Sequence, residues 1–336
     1  MRTLVTGGTG YIGSHTCVEL LTAGHEVVIA DNLSNSSDLV LGRIEEITGK
    51  RPVFFKLDMR DSAGLERLLA EQPIDAVIHF AGVKAVAESV TDPLKYYDNN
   101  VAGSLKLLDA VREHGVKTFV FSSSATVYGQ DAASPIGEQS PTDPVNPYGR
   151  TKLIVEEILQ DQCHAEPEFR AVALRYFNPV GAHSSGMIGE APQQTPNNLM
   201  PYICQVAVGR RNELSIFGDD YPTLDGTAIR DYIHVVDLAE GHLRALQFLK
   251  GSSGFSSINL GTGHGTSVLE MVRNFERVNQ VKIPYRITNR RPGDTVVTYA
   301  DTKLAAQLLN WQARLDLDDM CRDAWNWQRT NPGGYV

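Results

Sequence analysis

Short apolar runs recur through the first half of the chain at residues 2–6, 26–31, 52–57, 75–80, 117–122 and 170–175, and stretches of helical periodicity separate them. Strand and helix in strict alternation predict a parallel, doubly wound sheet with right-handed crossovers. The pattern breaks at Asn178. From there to about Gly226, Pro179, Pro192, Pro196, Pro201 and Pro222 interrupt a loop-rich region with a single expected helix at 201–209. Helical periodicity resumes at 230–249, a short strand follows at 257–260, and a last helix is expected near 317–328. The expected fold is α/β: one domain of residues 1–178 plus 230–262 carries the doubly wound sheet, and a smaller, discontinuous α/β domain takes residues 179–229 plus 263–336. No internal repeat, low-complexity tract or flexible linker interrupts this organisation.

Composition narrows the partners. The chain has 336 residues and a formal net charge of −9, with no run of lysine and arginine. That argues against nucleic acid or an anionic membrane surface, and an anionic small molecule would have to meet locally placed cations. No secretory leader pattern precedes the first strand and no apolar run has membrane-spanning length, so the expectation is a soluble, cytoplasmic protein. Cys17, Cys163, Cys204 and Cys321 have no C-x-x-C spacing and read as reduced packing residues; the scattered histidines give no metal-ligand spacing, so no metal is expected.

Candidate chemistry lies in three places. Residues 2–6 run directly into Gly7-Gly8-Thr9-Gly10-Tyr11-Ile12-Gly13 and then a helical pattern, the strand–loop–helix order of a dinucleotide site. Asp31 closes the second apolar run, where a carboxylate accepts ribose hydroxyls and repels a 2′-phosphate, so the expected cofactor is NAD and not NADP. Tyr148 and Lys152 stand four residues apart, one helical turn, downstream of the Ser122-Ser123-Ser124 run that ends a strand. A free tyrosine titrates near pH ~10, and a neighbouring ammonium stabilises its phenolate. The trio Ser124, Tyr148 and Lys152 thus reads as a general base, its tuner and a proton-orienting hydroxyl.

With these parts in this order, the chain resembles the extended short-chain dehydrogenase/reductase family. Phe80-Ala81-Gly82-Val83-Lys84, Asp98-Asn99-Asn100-Val101, Arg175-Tyr176-Phe177-Asn178-Pro179, Pro196-Asn197-Asn198-Leu199, Arg230-Asp231-Tyr232 and Arg290-Arg291-Pro292-Gly293-Asp294 carry the resemblance across nearly the whole length, toward the branch that inverts C4 of UDP-hexoses. It implies a Rossmann-type NAD domain and a nucleotide-sugar domain, and a redox-neutral epimerisation through a transient 4-keto sugar. It also implies NAD contacts from Gly7, Gly10, Tyr11, Ile12, Gly13, Asp31, Asn32, Asn35, Ser36, Asp58, Met59, Phe80, Ala81, Gly82, Lys84, Asn99, Ser122, Tyr148, Lys152 and Tyr176. UDP-sugar contacts are implied for Ser124, Tyr148, Asn178, Asn198, Leu199, Phe217, Arg230, Tyr232, Arg291 and Asp294. Thr298 falls where some relatives carry a tyrosine that walls the sugar pocket and broader-specificity relatives carry a small residue, which implies acceptance of N-acetylated sugars. The helices after Asp92 and Pro147 carry second apolar faces, Leu94, Val101, Leu105 and Leu108 on one and Ile154 and Ile158 on the other, which fit either core or a subunit interface; homologues pair these helices, so the resemblance implies a homodimer.

Other readings stay open at this point. A nucleotide-sugar dehydratase shares the base, but that branch carries an acidic pair where Ala125-Thr126 stands here. A dehydrogenase would need NAD stoichiometrically, and an NAD-binding sensor would have lost turnover altogether. Asp31 also fits a strand-ending turn acid, Lys84 a surface lysine, Asp58 the N-cap of the helix after Arg60, and Tyr176 a packing aromatic.

Overall fold

The structure, a computed structural model, describes residues 1–192, 196, 198–291 and 293–335; Asn197 and Pro292, each inside a motif quoted above, lie outside them. The first half runs β1 (Arg2–Thr6), α1 (Tyr11–Thr22), β2 (Glu26–Asp31), α2 (Leu39–Thr48), β3 (Val53–Lys56), α3 (Ser62–Glu71), β4 (Ala76–His79), α4 (Val86–Thr91) and α5 (Pro93–Tyr96). A π-helical turn, Tyr97–Ala102, then leads into α6 (Gly103–Glu113), β5 (Thr118–Ser124), α7 (Pro147–Ala165) and β6 (Arg170–Tyr176). The second half contributes β7 (Asn178–Val180), α8 (Leu199–Ala207), β8 (Leu214–Phe217), β9 (Ile229–Arg230), β10 (Tyr232–His234), α9 (Val235–Leu249) and β11 (Gly254–Leu260). It closes with β12 (Thr266–Ser267), α10 (Val268–Asn279), β13 (Tyr285–Thr288), β14 (Val297–Thr298), α11 (Lys303–Leu309) and α12 (Leu317–Thr330).

Seven strands form one parallel sheet in the order β3-β2-β1-β4-β5-β6-β11. Helices cover both faces, which is why the strands read as continuous apolar runs. Val5, Ile29, Ile78 and Val120 face one core while Leu4, Val28, Val77 and Phe119 face the other, the two-residue period of the pleat. The order reverses between β1 and β4. At such a switch point the carboxyl ends of the strands open a crevice for a ligand.

A third core, built on Met200, Ile203, Ile216, Leu269, Phe275 and Met320, joins α8, β8, α10 and α12 outside this sheet. Here the expectations need correction. The segment taken as loop holds β7 and β8; β7 contains Pro179 and pairs in parallel with β10 in a two-stranded sheet, an arrangement with free edges that tolerates proline. The helix expected at 201–209 begins two residues earlier, with Pro201 in its first turn, where no intrahelical N–H is required. The helix expected from 230 begins at Val235, because Ile229–His234 is spent on two short strands.

The apolar face assigned to Leu94, Val101, Leu105 and Leu108 is divided: Leu94 is 78% and Leu105 47% exposed, while Leu108, on the same helix as Leu105, turns into the core at 8%.

Candidate active site

The glycine loop sits at the switch point. Gly7 takes φ +68°, and a Cβ there would lie 2.8 Å from the Ala81 amide nitrogen; one on Gly13 would lie 2.3 Å from the Gly7 carbonyl oxygen. Only glycine permits this flat turn. Gly10 precedes α1 in extended conformation and no side chain caps the helix, so its N-terminal dipole is left for an anion. Asp31, buried at the end of β2, accepts the Thr9 amide at 3.2 Å, the Leu33 amide at 2.9 Å and the Ser36 hydroxyl at 3.0 Å. It therefore ties the glycine loop to the segment carrying Asn32 and the exposed Asn35. Asn32 in turn donates to Asp58 at 2.9 Å. Asp58 is not a helix cap: Asp61 accepts the Gly64 amide at the start of α3, and Asp58 receives the Arg60 side chain, which holds its carboxyl well below the usual range. A cradle that excludes side chains, an uncapped helix end and an acid beside them fit a dinucleotide.

The reactive trio lies one strand beyond β4. Asn146 caps α7 through the Gly149 amide at 2.9 Å, Pro147 opens the helix, and Tyr148 follows it. Ser124 ends β5. Burial pushes the Tyr148 phenol above its usual range, while a hydrogen bond with Ser124 and the Lys84 ammonium pull it back down. Lys152, buried, donates to the Ser122 carbonyl at 2.6 Å and lies 4.8 Å over the Phe121 ring. Burial lowers its ammonium to about 8, and Glu156 works against that fall. The sequence reading gave Lys152 alone the task of tuning Tyr148; the cation that lowers the phenol here is Lys84, while the Lys152 ammonium lies 5.9 Å from the Tyr148 ring centroid. The Lys84 side chain is 46% exposed and pairs with Glu190 at 3.1 Å; desolvation works against its charge, but Glu190 and Tyr148 hold its pKa above the ordinary value.

Two buried side chains brace this region. Tyr176 donates its hydroxyl to His242 Nε2, whose Nδ1 donates to the Leu238 carbonyl at 2.8 Å, and the Phe80 ring packs 4.7 Å from that imidazole. Asn100, in the π turn, accepts the Val83 amide at 2.8 Å and donates to the Val83 carbonyl and to Thr151, both at 3.0 Å. It fastens the loop bearing Ala81, Gly82 and Lys84 to the first turns of α7. Of the other predicted contacts, Asn99 is half-buried and Met59 and Ser122 are buried.

Outside the sheet, Arg291 pairs with Asp294 at 2.9 Å and lies 5.0 Å over the Phe217 ring, while Arg230 reaches the same carboxylate at 3.3 Å. Arg230 is the register partner of Thr298, and Tyr232 that of Asn178. Two forked guanidiniums beside an exposed aromatic ring suit a diphosphate with an attached base. Asn198, just before α8, donates to Glu190 at 3.0 Å, so Leu199 and Asn198 join the Lys84 side of the cleft through that acid.

The family described as NAD dependent epimerase/dehydratase matches residues 3–261. The chain belongs to this family. It is 56% identical over 335 residues to the UDP-glucose 4-epimerase of Bacillus subtilis, covering 100% of this chain and 99% of that one. The UDP-glucose 4-epimerase of Stenotrophomonas maltophila, solved with bound NAD and formylated UDP-arabinopyranose, superposes with a TM-score of 0.97 at 54% identity and 99% coverage of both chains. That of Bifidobacterium longum, in complex with NAD+ and UDP, gives 0.96 at 51% identity over 99% of this chain and 100% of its own.

For a member of this family, three polar residues escaped the sequence reading of the site. Glu190 joins Lys84 to Asn198; Asn100 anchors the loop after β4; Asp231, buried between β9 and β10, accepts the amides of Thr262, Gly263 and Ala300 at 2.8, 3.0 and 3.1 Å. Asn100 and Asp231 stand inside motifs already singled out, where burial beside named site residues was the available signal. Glu190 carried none.

Proposed function

We propose that this chain inverts C4 of UDP-galactose and UDP-glucose in a redox-neutral cycle through a transient 4-keto sugar. The observation that carries the proposal is the meeting of Ser124, Tyr148 and Lys152 at the carboxyl end of β5, beside the glycine cradle, in a chain of this family. Gly7, Gly10, Gly13 and Asp31 would hold NAD, which when bound supplies the acceptor and then the donor of the hydride at C4. Tyr148 removes the proton of the 4-hydroxyl and later returns it, with Ser124 as its hydrogen-bond partner. Lys84 and Lys152 favour the phenolate over the phenol. Arg230 and Arg291 would take the diphosphate, exchanging part of their pairing with Asp294 for it. Firm binding at this remote end retains the keto sugar while the hexose turns over.

Several features support the remaining parts of the reading. Thr126 donates to Ser124 at 2.9 Å, and no carboxylate follows the serine to serve a dehydratase. The strand β11 completes the first sheet after the excursion through residues 179–229, consistent with a cofactor domain of 1–178 plus 230–262 and a sugar domain of 179–229 plus 263–336. Exposed Val90, Leu94 and Leu105 favour a homodimer through this face. Four free, buried cysteines suit the cytoplasm, and no helix of the described residues is long and apolar enough to cross a membrane. Thr298, a small side chain in register with Arg230, favours acceptance of UDP-N-acetylglucosamine and UDP-N-acetylgalactosamine as well.

The test is to incubate purified protein with UDP-galactose and no added NAD. UDP-glucose is the expected product. A stoichiometric demand for NAD would instead mark a dehydrogenase, a dehydrated sugar a dehydratase, and no turnover with NAD bound a sensor.

A further inference from the structure

Tyr148, Lys152 and Glu156 form a stripe one turn apart along α7, and the third member is an anion only 3% exposed. Glu156 receives the Arg175 guanidinium in a fork, with Nη2 at 2.6 Å and Nε at 3.1 and 3.2 Å from its two oxygens, and also accepts the Ser123 hydroxyl. Both partners are neighbours of site residues. Ser123 lies between Ser122, whose carbonyl holds Lys152, and Ser124, which bonds Tyr148; Arg175 precedes Tyr176. In the parallel pairing of β5 with β6, Ser123 and Arg175 are direct register partners. Ser123 continues the row Phe119–Phe121 that faces α7, while Ser122 and Ser124 turn the other way, as the two-residue period requires. One carboxylate thus pins the active-site helix to two strands at once.

The pair is set among Val155, Leu159 and Ala173, an apolar core. There an ion pair adds little net stability over well-packed hydrophobic residues, so stability is a weak reason for it. A forked pair does fix orientation and register. Arg175 extends the grip, donating to the Tyr128 hydroxyl at 3.0 Å and the Glu138 carbonyl at 3.2 Å, and Tyr128 donates to Asn259 at 2.7 Å.

We propose that Glu156, clamped by Arg175 and Ser123, is a positioning residue for the reaction: it sets α7 on β5 and β6 so that Tyr148 meets Ser124 and Lys152 stays charged beneath it. This rests on the proposed C4 epimerisation. The groups facing Lys152 are Tyr148 and Glu156 on its own helix, the Ser122 carbonyl and Phe121 ring on β5, His79 on β4, and Arg175 on β6 behind Glu156. His79 is held neutral by burial. Glu156 is therefore the anion that favours the Lys152 ammonium, and its loss weakens the cation that in turn favours the Tyr148 phenolate.

The experiment compares the NAD-loaded wild type, Glu156→Gln and the apolar double variant Glu156→Leu/Arg175→Met. For each, kcat is measured against pH with UDP-galactose, and the Tyr148 phenolate is titrated by ultraviolet difference absorbance against the matching Tyr148→Phe protein. Expected for Glu156→Gln is a kcat lower by roughly 10–100-fold, the scale of a small misplacement. Its pH profile should move from that of the wild type, as Lys152 loses its proton at lower pH and Tyr148 at higher pH. The double variant, folded even where Glu156→Gln is not, should show a similar fall in kcat and a raised phenolate midpoint. A folded variant with wild-type kcat, or a lowered kcat with unmoved pH profile and phenolate midpoint, overturns the proposal. Absence of epimerisation in the wild type would defeat the functional reading alone, because the phenolate titration still reports on Glu156.

Discussion

Lys84 bridges to Glu190: its ammonium lies 3.1 Å from the carboxylate, joining the loop after β4 to the segment that follows β7. Glu190 also holds Asn198, so one acid links both sides of the cleft. Lys84→Met should release NAD more readily and move the acid limb of the rate profile upward, since Tyr148 loses a facing cation. The NAD remaining after gel filtration and the pH profile of kcat measure both effects; retention and profile equal to wild type would contradict them.

Tyr148→Phe should leave folding and NAD binding near normal while turnover falls by roughly 10²–10⁴-fold, the usual contribution of an acid–base group. Lys152→Met should raise the pH at which activity appears, since the phenolate loses a nearby cation; a pH profile of kcat equal to wild type would refute that role.

Cofactor choice tests the role proposed for Asp31. Asp31→Ala should weaken NAD retention and narrow the preference over NADP, and it should also loosen the glycine loop, whose Thr9 amide bonds to that carboxylate. Reconstitution of cofactor-free protein with each dinucleotide gives the comparison. Wild-type preference for NADP would refute the assignment.

Three histidines make stability depend on pH. Burial lowers His15 and His79 to about 3 and His242 to about 4 from an ordinary 6.5. Between these values the unfolded chain binds protons the folded chain does not, so stability rises with pH. Their contribution is present above about 6.5 and drains away as pH falls through about 4 for His242 and about 3 for His15 and His79. Urea midpoints should decline through this window, with unfolding taking up protons on all three rings; a flat profile would rule this out.

Thr298→Tyr should selectively abolish turnover of the N-acetylated pair, because a phenol ring would fill the volume left beside Arg230. Comparing kcat/KM for both sugar pairs in both proteins decides it. No acetylated turnover in the wild type, or equal losses for both pairs, removes Thr298 as the gate.

The sheet was legible because its strands are buried on both faces and leave unbroken apolar runs, and the glycine loop and Tyr148–Lys152 because their spacing is local. Long-range partnerships were not. Lys84 and Glu190 are 106 residues apart, and nothing near either names the other. Asp58 and Asp61 look alike as cap candidates three residues apart, and only the Gly64 amide distinguishes them. The strands β7 and β9 are too short to show a period.

The return of the chain to its first sheet governs how it is made. The strand β11 pairs with β6, and α9 packs on α1, yet both are synthesised after an excursion of some 50 residues through the other core. Until residue 260 has emerged, β6 presents an open edge and α1 an uncovered apolar side. Such a nascent chain is exposed to strand-to-strand association. The cofactor-binding half is therefore not a separable unit: truncation after Val180 should yield aggregated protein.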